Sequence, residues 1–403
     1  MKHLRTSLLF PTMIMVLVAL LLRAGIAQAA PFAKCAWQVI DSALPPGGAN
    51  STFLGITAIA ANDAWAVGTY NDKFGNQYTF AEHWDGTQWN YVTSPNPAGS
   101  TNSWFTAVSP TSTSDIWAVG YYFNNSVNAN QTLIEHWNGA AWSIVSSPDS
   151  GTGSNFLTGV SAIAPNNVWA VGNYSDINGH YGQRLMEHWD GTSWSLVSTP
   201  APKKTLGTTF TAITAISASD VWTVGSAYST KSVTRTLTEH LNGKNWSVVA
   251  SPSPGTGSLG SLLNGVAAMT TNDVWTVGEY YPSGSSTSRS TLTEHWNGST
   301  WSVVKSPNAP KGVSGSGFNA VTSLSDKNVW AVGSYYDGNF NPQSLVEYWN
   351  GTKWSIANNP NPGTFENILW GVTRIPNTPK AIWTVGITSN QLGSGQAFTE
   401  RYC

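Results

Sequence analysis

One short pattern decides what this chain can fold into. Asp115-Ile116-Trp117-Ala118-Val119-Gly120 recurs along the sequence with its Trp at positions 65, 117, 169, 222, 275, 330 and 383, spaced 52, 52, 53, 53, 55 and 53 residues apart. Each period closes on a second pattern, Glu135-His136-Trp137-Asn138-Gly139-Ala140-Ala141-Trp142 in the second copy. Self-similarity at such a period, with several β-type runs inside it, marks a propeller or a related array.

Each copy divides into four runs, here called strands a to d. In the second copy they are Phe105 to Ser109, Ile116 to Tyr122, Thr132 to Trp137 and Trp142 to Ser146. They are rich in β-branched and aromatic residues and bounded by Pro, Gly, Asn or Asp. Strands c and d are joined by Asn-Gly or Asp-Gly in six copies: Asp85-Gly86, Asn138-Gly139, Asp190-Gly191, Asn242-Gly243, Asn297-Gly298 and Asn350-Gly351. That dipeptide is a strong hairpin signal, so neighbouring runs are antiparallel. The expected fold is all-β: a seven-bladed β-propeller of four-stranded antiparallel blades.

The seventh copy ends at Glu400-Arg401-Tyr402-Cys403 without a strand d. Near the other end, Trp37-Gln38-Val39-Ile40 matches Trp142-Ser143-Ile144-Val145. Residues 36–45 are therefore expected to complete the last blade, so that the N-terminal strand closes the ring and removes its open edge. Cys403 aligns with Asp85 and Cys35 with Thr87, the positions flanking the c–d turn. A Cys35–Cys403 disulfide would replace the covalent turn there; a free or metal-binding pair is the alternative.

Lys2, His3 and Arg5, the apolar run Leu8 to Leu22, and Ala27-Gln28-Ala29 read as a secretory signal peptide over residues 1–29. Residues 30–403 would then be a single exported domain with no stable membrane span, acting as an extracellular monomer in a compartment that permits disulfides. Without Lys2, Arg5 and Arg23, 16 basic residues face 21 acidic ones. No basic block occurs, which argues against nucleic acid. Only 10% of residues are charged, and a neutral surface rich in hydroxyls and amides suits uncharged hydroxylated ligands.

The repeat resembles the Kelch and galactose-oxidase-like propellers: strand b ends in Gly, as in Trp117-Ala118-Val119-Gly120, and strand d carries a Trp such as Trp142. It has one Gly where Kelch repeats have a doublet, and Trp137 where they commonly have Tyr. It is also similar to secreted bacterial propellers built from a WAVG…EHWNGxxW unit. The resemblance implies a fold and no common activity.

Repetition separates scaffold from site. Glu82, Glu135, Glu187, Glu239, Glu294, Glu347 and Glu400 hold one position in strand c. A carboxylate demanded seven times is a scaffold element, expected to accept hydrogen bonds where it is buried. His83, His136, His188, His240 and His295 recur likewise and would lie too far apart around a ring to share a metal. No Gly-x-Ser-x-Gly, His-Glu-x-x-His or P-loop is present, and 176–180 (Asp-Ile-Asn-Gly-His) only faintly echoes a calcium loop. Neither a catalytic residue nor a cofactor is expected.

Ligand contacts are expected on the face bearing the long, variable b–c and d–a connections. Tyr70, Tyr122, Tyr174, Tyr280 and Tyr335 stand five residues beyond the strand b Trp, with Ala227 and Thr388 as exceptions. Phe74, Phe123, Tyr181, Tyr281, Tyr336 and Phe340 lie nearby. The Tyr set could pack between blades or contact a wet, hydroxylated ligand. In the last copy Trp370 replaces Leu54, Thr106, Thr158, Thr211, Asn264 and Asn319, and Arg374 replaces Ala58, Pro110, Ala162, Ala215, Ala268 and Ser323. Strand alternation would aim both at the central channel, to plug it or to hold a ligand. The sequence thus points to noncatalytic binding of a glycan, with a cell-surface protein as the alternative partner and polysaccharide chemistry as a third reading.

Overall fold

A computed structural model describes residues 35–175, 182–256, 259–282, 288–309, 314–390 and 394–403. The expected signal peptide (residues 1–29), the 176–180 segment and Tyr181 lie outside the described residues. No helix occurs among the described residues; the 28 strands make six sheets. Five sheets have four strands. The sixth has eight, because the first meander (Gly48–Ala60, Asp63–Asp72, Gln77–Trp84, Trp89–Tyr91) and the second (Ser100–Ser112, Asp115–Asn124, Ala129–Trp137, Trp142–Ile144) share one parallel pair, Gln77 with Asn102. One bridge thus merges two sheets that the repeat pattern reads as separate.

Within each copy, a, b, c and d are antiparallel neighbours in chain order. In the last copy, Glu366–Arg374, Ile382–Ser389 and Gly395–Tyr402 are joined by Trp37–Ile40, which pairs antiparallel with Gly395–Tyr402, Trp37 opposite Tyr402. Cys35 and Cys403 are disulfide-bonded.

The core lies between sheets. Each strand b indole packs on aromatic side chains of the following copy. Trp65 meets Trp137 and Trp142 at 4.9 and 5.4 Å between ring centroids. Trp117 meets Trp189 and Trp194, Trp222 meets Trp296 and Trp301, and Trp275 meets Trp349 and Trp354. Trp330 meets Trp37 and Tyr402 at 6.0 and 5.2 Å, and Trp383 meets Trp84 and Trp89 at 5.1 and 5.3 Å. Each such pair adds about 0.5–1.5 kcal/mol to the apolar area it buries.

The c–d turns differ from a two-residue Asn-Gly hairpin. In the second copy Asn138 Oδ1 accepts from the N–H groups of Ala140 and Ala141, and only Gly139 takes a positive φ, 92°. The fourth copy (Thr205–Ser217, Asp220–Ser229, Thr234–Asn242, Asn245–Val249) instead turns through Gly243 and Lys244 alone, with Gly243 at φ 72°. Glycine at the first central position is the requirement of a type II′ turn.

Candidate functional site

Strand a carries a bulge in every copy, and it shapes the axis of the molecule. The register slips between Phe53 and Gly55, Phe105 and Ala107, Leu157 and Gly159, Phe210 and Ala212, Leu263 and Gly265, Phe318 and Ala320, and Leu369 and Gly371. The extra residue is therefore Leu54, Thr106, Thr158, Thr211, Asn264, Asn319 or Trp370. These bulged segments line one cavity of about 220 Å³. A bulge re-aims side chains, and here five of them donate to the next copy's strand a. Thr106 bonds Leu157 O (2.8 Å), Thr158 Phe210 O (3.1 Å), Thr211 Leu263 O (2.6 Å), Asn264 Phe318 O (2.8 Å) and Asn319 Leu369 O (2.8 Å).

Leu54 has no polar atom with which to continue this belt. Trp370 presents an indole that stays 36% exposed at the cavity wall. Arg374 does not join it. The bulge interrupts the alternation that would put both on one face, and exposed Arg374 lines a separate shallow cavity with Leu324 and residues 375–379 at the a–b turn.

The Tyr set does not converge. Tyr70, Tyr122, Tyr174, Tyr280 and Tyr335 are each half-buried against a different hydrophobic cluster. Burial and the neighbouring Tyr91 push the Tyr70 phenol up to about 12. Tyr122 donates to Gln131 Oε1 at 2.9 Å.

The turn aromatics behave differently. Phe74 and Phe340 are 78% and 72% exposed. Their turns are held by carboxylates: Asp72 Oδ1 accepts from the N–H groups of Phe74 and Asn76, and Asp337 Oδ1 from those of Asn339 and Asn341. Both carboxyls sit below the usual range, Asp72 chiefly through the Asn76 side-chain amide together with these N–H groups and Asp337 chiefly through the Asn341 N–H.

The repeated histidines are engaged within their own copies. Nε2 of His83, His136, His240 and His295 lies 2.7–2.9 Å from Asp63, Asp115, Asp220 and Asp273, and His188 faces Asn167 at 2.9 Å. Each ring also lies against the strand b Trp, as His240 on Trp222 at 3.9 Å. No group of His, Cys, Asp and Glu capable of holding a metal occurs among the described residues.

The repeated glutamates are all 0% exposed, and they depart from the expectation of hydrogen-bonded carboxylates. Glu82 accepts from Ser42 at 2.9 Å, and Glu400 from Asn359 and Thr384 at 3.2 Å each. The carboxyls of Glu135, Glu187, Glu294 and Glu347 have no partner among the described residues. Burial alone pushes Glu135 and Glu347 up to about 9 and Glu294 to about 8. Such groups stay protonated, because desolvation penalises the charged form. Sealed from solvent, they have no access to a substrate.

A feature the repeat pattern does not announce lies at the fourth copy. Where five copies have Tyr, Ala227 stands, and beside it opens a cavity of about 450 Å³. Lys203, Lys204, Lys231 and Arg235 line it. The Tyr-to-Ala exception was visible in the sequence; the meeting of two loops that brings the cations together was not.

No protein-family model matches the chain, and no curated protein matches it in sequence. Among solved structures it is similar to the GH74 xyloglucanase of Xanthomonas campestris (TM-score 0.55, 11% identity), over 90% of this chain and 55% of that one. A polysaccharide lyase of family PL25, an ulvan lyase, gives a TM-score of 0.52 at 10% identity over 88% and 94% of the two chains. A six-bladed β-propeller lectin of Aleuria aurantia gives 0.43 at 13% identity over 72% and 90%. The repeated four-stranded sheets support a β-propeller.

Proposed function

We propose that this chain is a secreted, monomeric, noncatalytic glycan-binding protein. In this reading residues 1–29 are removed on export. Residues 30–403 form one seven-bladed propeller of the general Kelch type, closed by residues 36–45. Ring closure is supported by the aromatic contacts, which pass from copy to copy and return from Trp383 to Trp84 and Trp89.

The observation that carries the glycan reading is Trp370. It is an aromatic left 36% exposed in the axial cavity, where the preceding five copies place hydroxyl or amide side chains. An apolar ring beside hydroxyl and amide oxygens that can still accept hydrogen bonds suits a ligand with C–H faces and hydroxyl edges. Phe74 and Phe340, on turns of the two copies flanking the last, extend that chemistry to the loop-bearing face.

Calorimetry of residues 30–403 against neutral and acidic oligosaccharides tests the proposal. Saturable binding that Trp370→Ala weakens at least tenfold, with thermal unfolding unchanged, supports it. Arg374→Ala should leave affinity within about twofold. Binding to none of the saccharides overturns the reading in favour of a protein partner, and release of reducing ends would make the chain an enzyme.

A further inference from the structure

We infer that the cavity of the fourth copy is a binding site for an anionic saccharide unit, one bearing a carboxylate or a sulfate ester. The inference rests on the glycan-binding reading and adds a second site with its own charge preference.

The first observation is charge. Four of the chain's 19 Lys and Arg residues line one cavity in a protein of net charge −2, and no Asp or Glu lines it. Among the described residues none of the four enters an ion pair. Of the other Lys and Arg residues only Arg289, with Glu279 at 2.8 Å, and Arg184, near Glu239 at 3.6 Å, are paired among the described residues, so what sets the four apart is that they gather in one place. Like charges gathered without counter-charges repel one another, and an anion bound among them relieves that repulsion.

The second is shape. Ala227 pairs with Arg235 across strands b and c, so a small side chain sits directly opposite one of the cations. In five copies a Tyr ring occupies this position; the third copy keeps a cavity of about 420 Å³ beside its Tyr174, so the fourth is set apart by the cations and the small residue facing them rather than by space alone. At about 450 Å³ the cavity falls within the range of small-ligand sites. Its wall adds hydroxyl groups, including Ser229, Thr236 and Ser253, and the partly exposed apolar face of Val248. Cations, hydroxyls and a small apolar surface together match an acidic sugar better than a bare ion.

The third is rigidity. The two Lys-bearing loops are tied to each other, the Thr230 N–H donating to Lys204 O at 3.0 Å, and the second is closed on itself by the Ser229 N–H donating to Val233 O at 3.0 Å. Lys204 itself holds a left-handed backbone, φ 61°, a conformation that a side chain other than Gly, Asn or Asp adopts at a cost. The ammonium groups therefore sit on fixed backbone, although their side chains reach into solvent.

The test is calorimetry of residues 30–403 with an oligogalacturonate, a sulfated oligosaccharide and a neutral oligosaccharide of equal length, at low and physiological salt. The acidic ligands should bind more tightly than the neutral one, and less tightly as salt rises. Lys231→Glu with Arg235→Glu should cost at least about tenfold, which is about 1.4 kcal/mol. Ala227→Tyr should cost a similar factor without changing any charge, using a side chain that the other copies accommodate. Lys305→Glu with Lys353→Glu, far along the chain, should change nothing.

Equal losses from both charge reversals would overturn the site in favour of diffuse attraction. So would inorganic sulfate binding as tightly as the saccharides, which would make the site one for a bare anion. Binding of neutral glycan alone, indifferent to Ala227→Tyr, would sink this inference and leave the broader proposal standing. Failure of every saccharide would sink both.

Discussion

The second and fourth copies share strand order and pairing, yet they solve the same packing problem with different residues. The second copy offers Trp137 and Trp142 to Trp65 of the first, and Trp142 is 5% exposed. The fourth offers Leu241 and Trp246 to Trp169; with one indole fewer, Trp246 is left partly exposed. The second carries Tyr122 and a turn capped by Asn138, where the fourth has Ala227 and the tighter Gly243-Lys244 turn. Of these exchanges only Ala227 lines the fourth copy's cavity, and the third copy has one of about 420 Å³ beside Tyr174. A repeat can give up a large side chain without losing its strand pairing when neighbouring copies hold the scaffold.

The largest expected effect tests the indole contacts. Trp142→Ala should lower stability by about 3–5 kcal/mol, read from denaturant unfolding, and Trp246→Ala by less than half as much. Equal losses would mean that Leu241 compensates fully for the missing ring.

The buried carboxyls separate the copies by pH. Burial pushes Glu135 up to about 9, whereas Glu239 reaches about 7 because Thr199 and Arg184 pull against its burial. Below the ordinary value of 4.5 both folded and unfolded chains are protonated at these sites. Above it the unfolded chain ionises while the folded chain keeps its proton, so stability falls as pH rises and levels off beyond the folded value. Glu135→Gln should therefore flatten the thermal-melt profile between about pH 4.5 and 9. Glu239→Gln should act only up to about pH 7.

Smaller effects lie in the turns. A methyl group on Gly139 would stand 2.8 Å from Ser114 Cβ, while one on Gly243 would meet nothing within 4 Å. Gly139→Ala should cost about 2 kcal/mol and Gly243→Ala about 1 kcal/mol, the latter from backbone conformation alone. Asn138→Ala removes the acceptor for two N–H groups and should cost about 1 kcal/mol; Asn242→Ala should cost less. Chemical-denaturation midpoints of the four variants rank them.

The scaffold was legible because its determinants are local and repeated. The strand b Trp, the strand c Glu-His pair and the Asn-Gly turn each stand at fixed spacing, and Trp37 heads its strand as Trp142 does. The axial site was less legible. Placing Trp370 and Arg374 on one face assumes unbroken alternation, and a one-residue bulge marked by no common residue type defeats it. The four cations of the fourth copy form no motif, since Lys203 and Lys204, Lys231 and Arg235 come from two loops and a strand that meet only through the pairing of strands a, b and c. Hydrogen bonding holds for only part of the glutamate set: the carboxyls of Glu135, Glu187, Glu294 and Glu347 have no partner among the described residues, and burial keeps them protonated.

The aromatic contacts between copies have an optical consequence. Every strand b indole has an aromatic ring of the following copy within 6.0 Å, centroid to centroid, and in most copies that ring is another indole. Excitation absorbed by one will migrate among its neighbours before it is emitted. The folded chain should therefore emit strongly depolarised tryptophan light even when its tumbling is slowed in viscous solvent. Polarisation should recover on exciting the red edge of the absorption band, where transfer is selective, and on unfolding, which separates the rings.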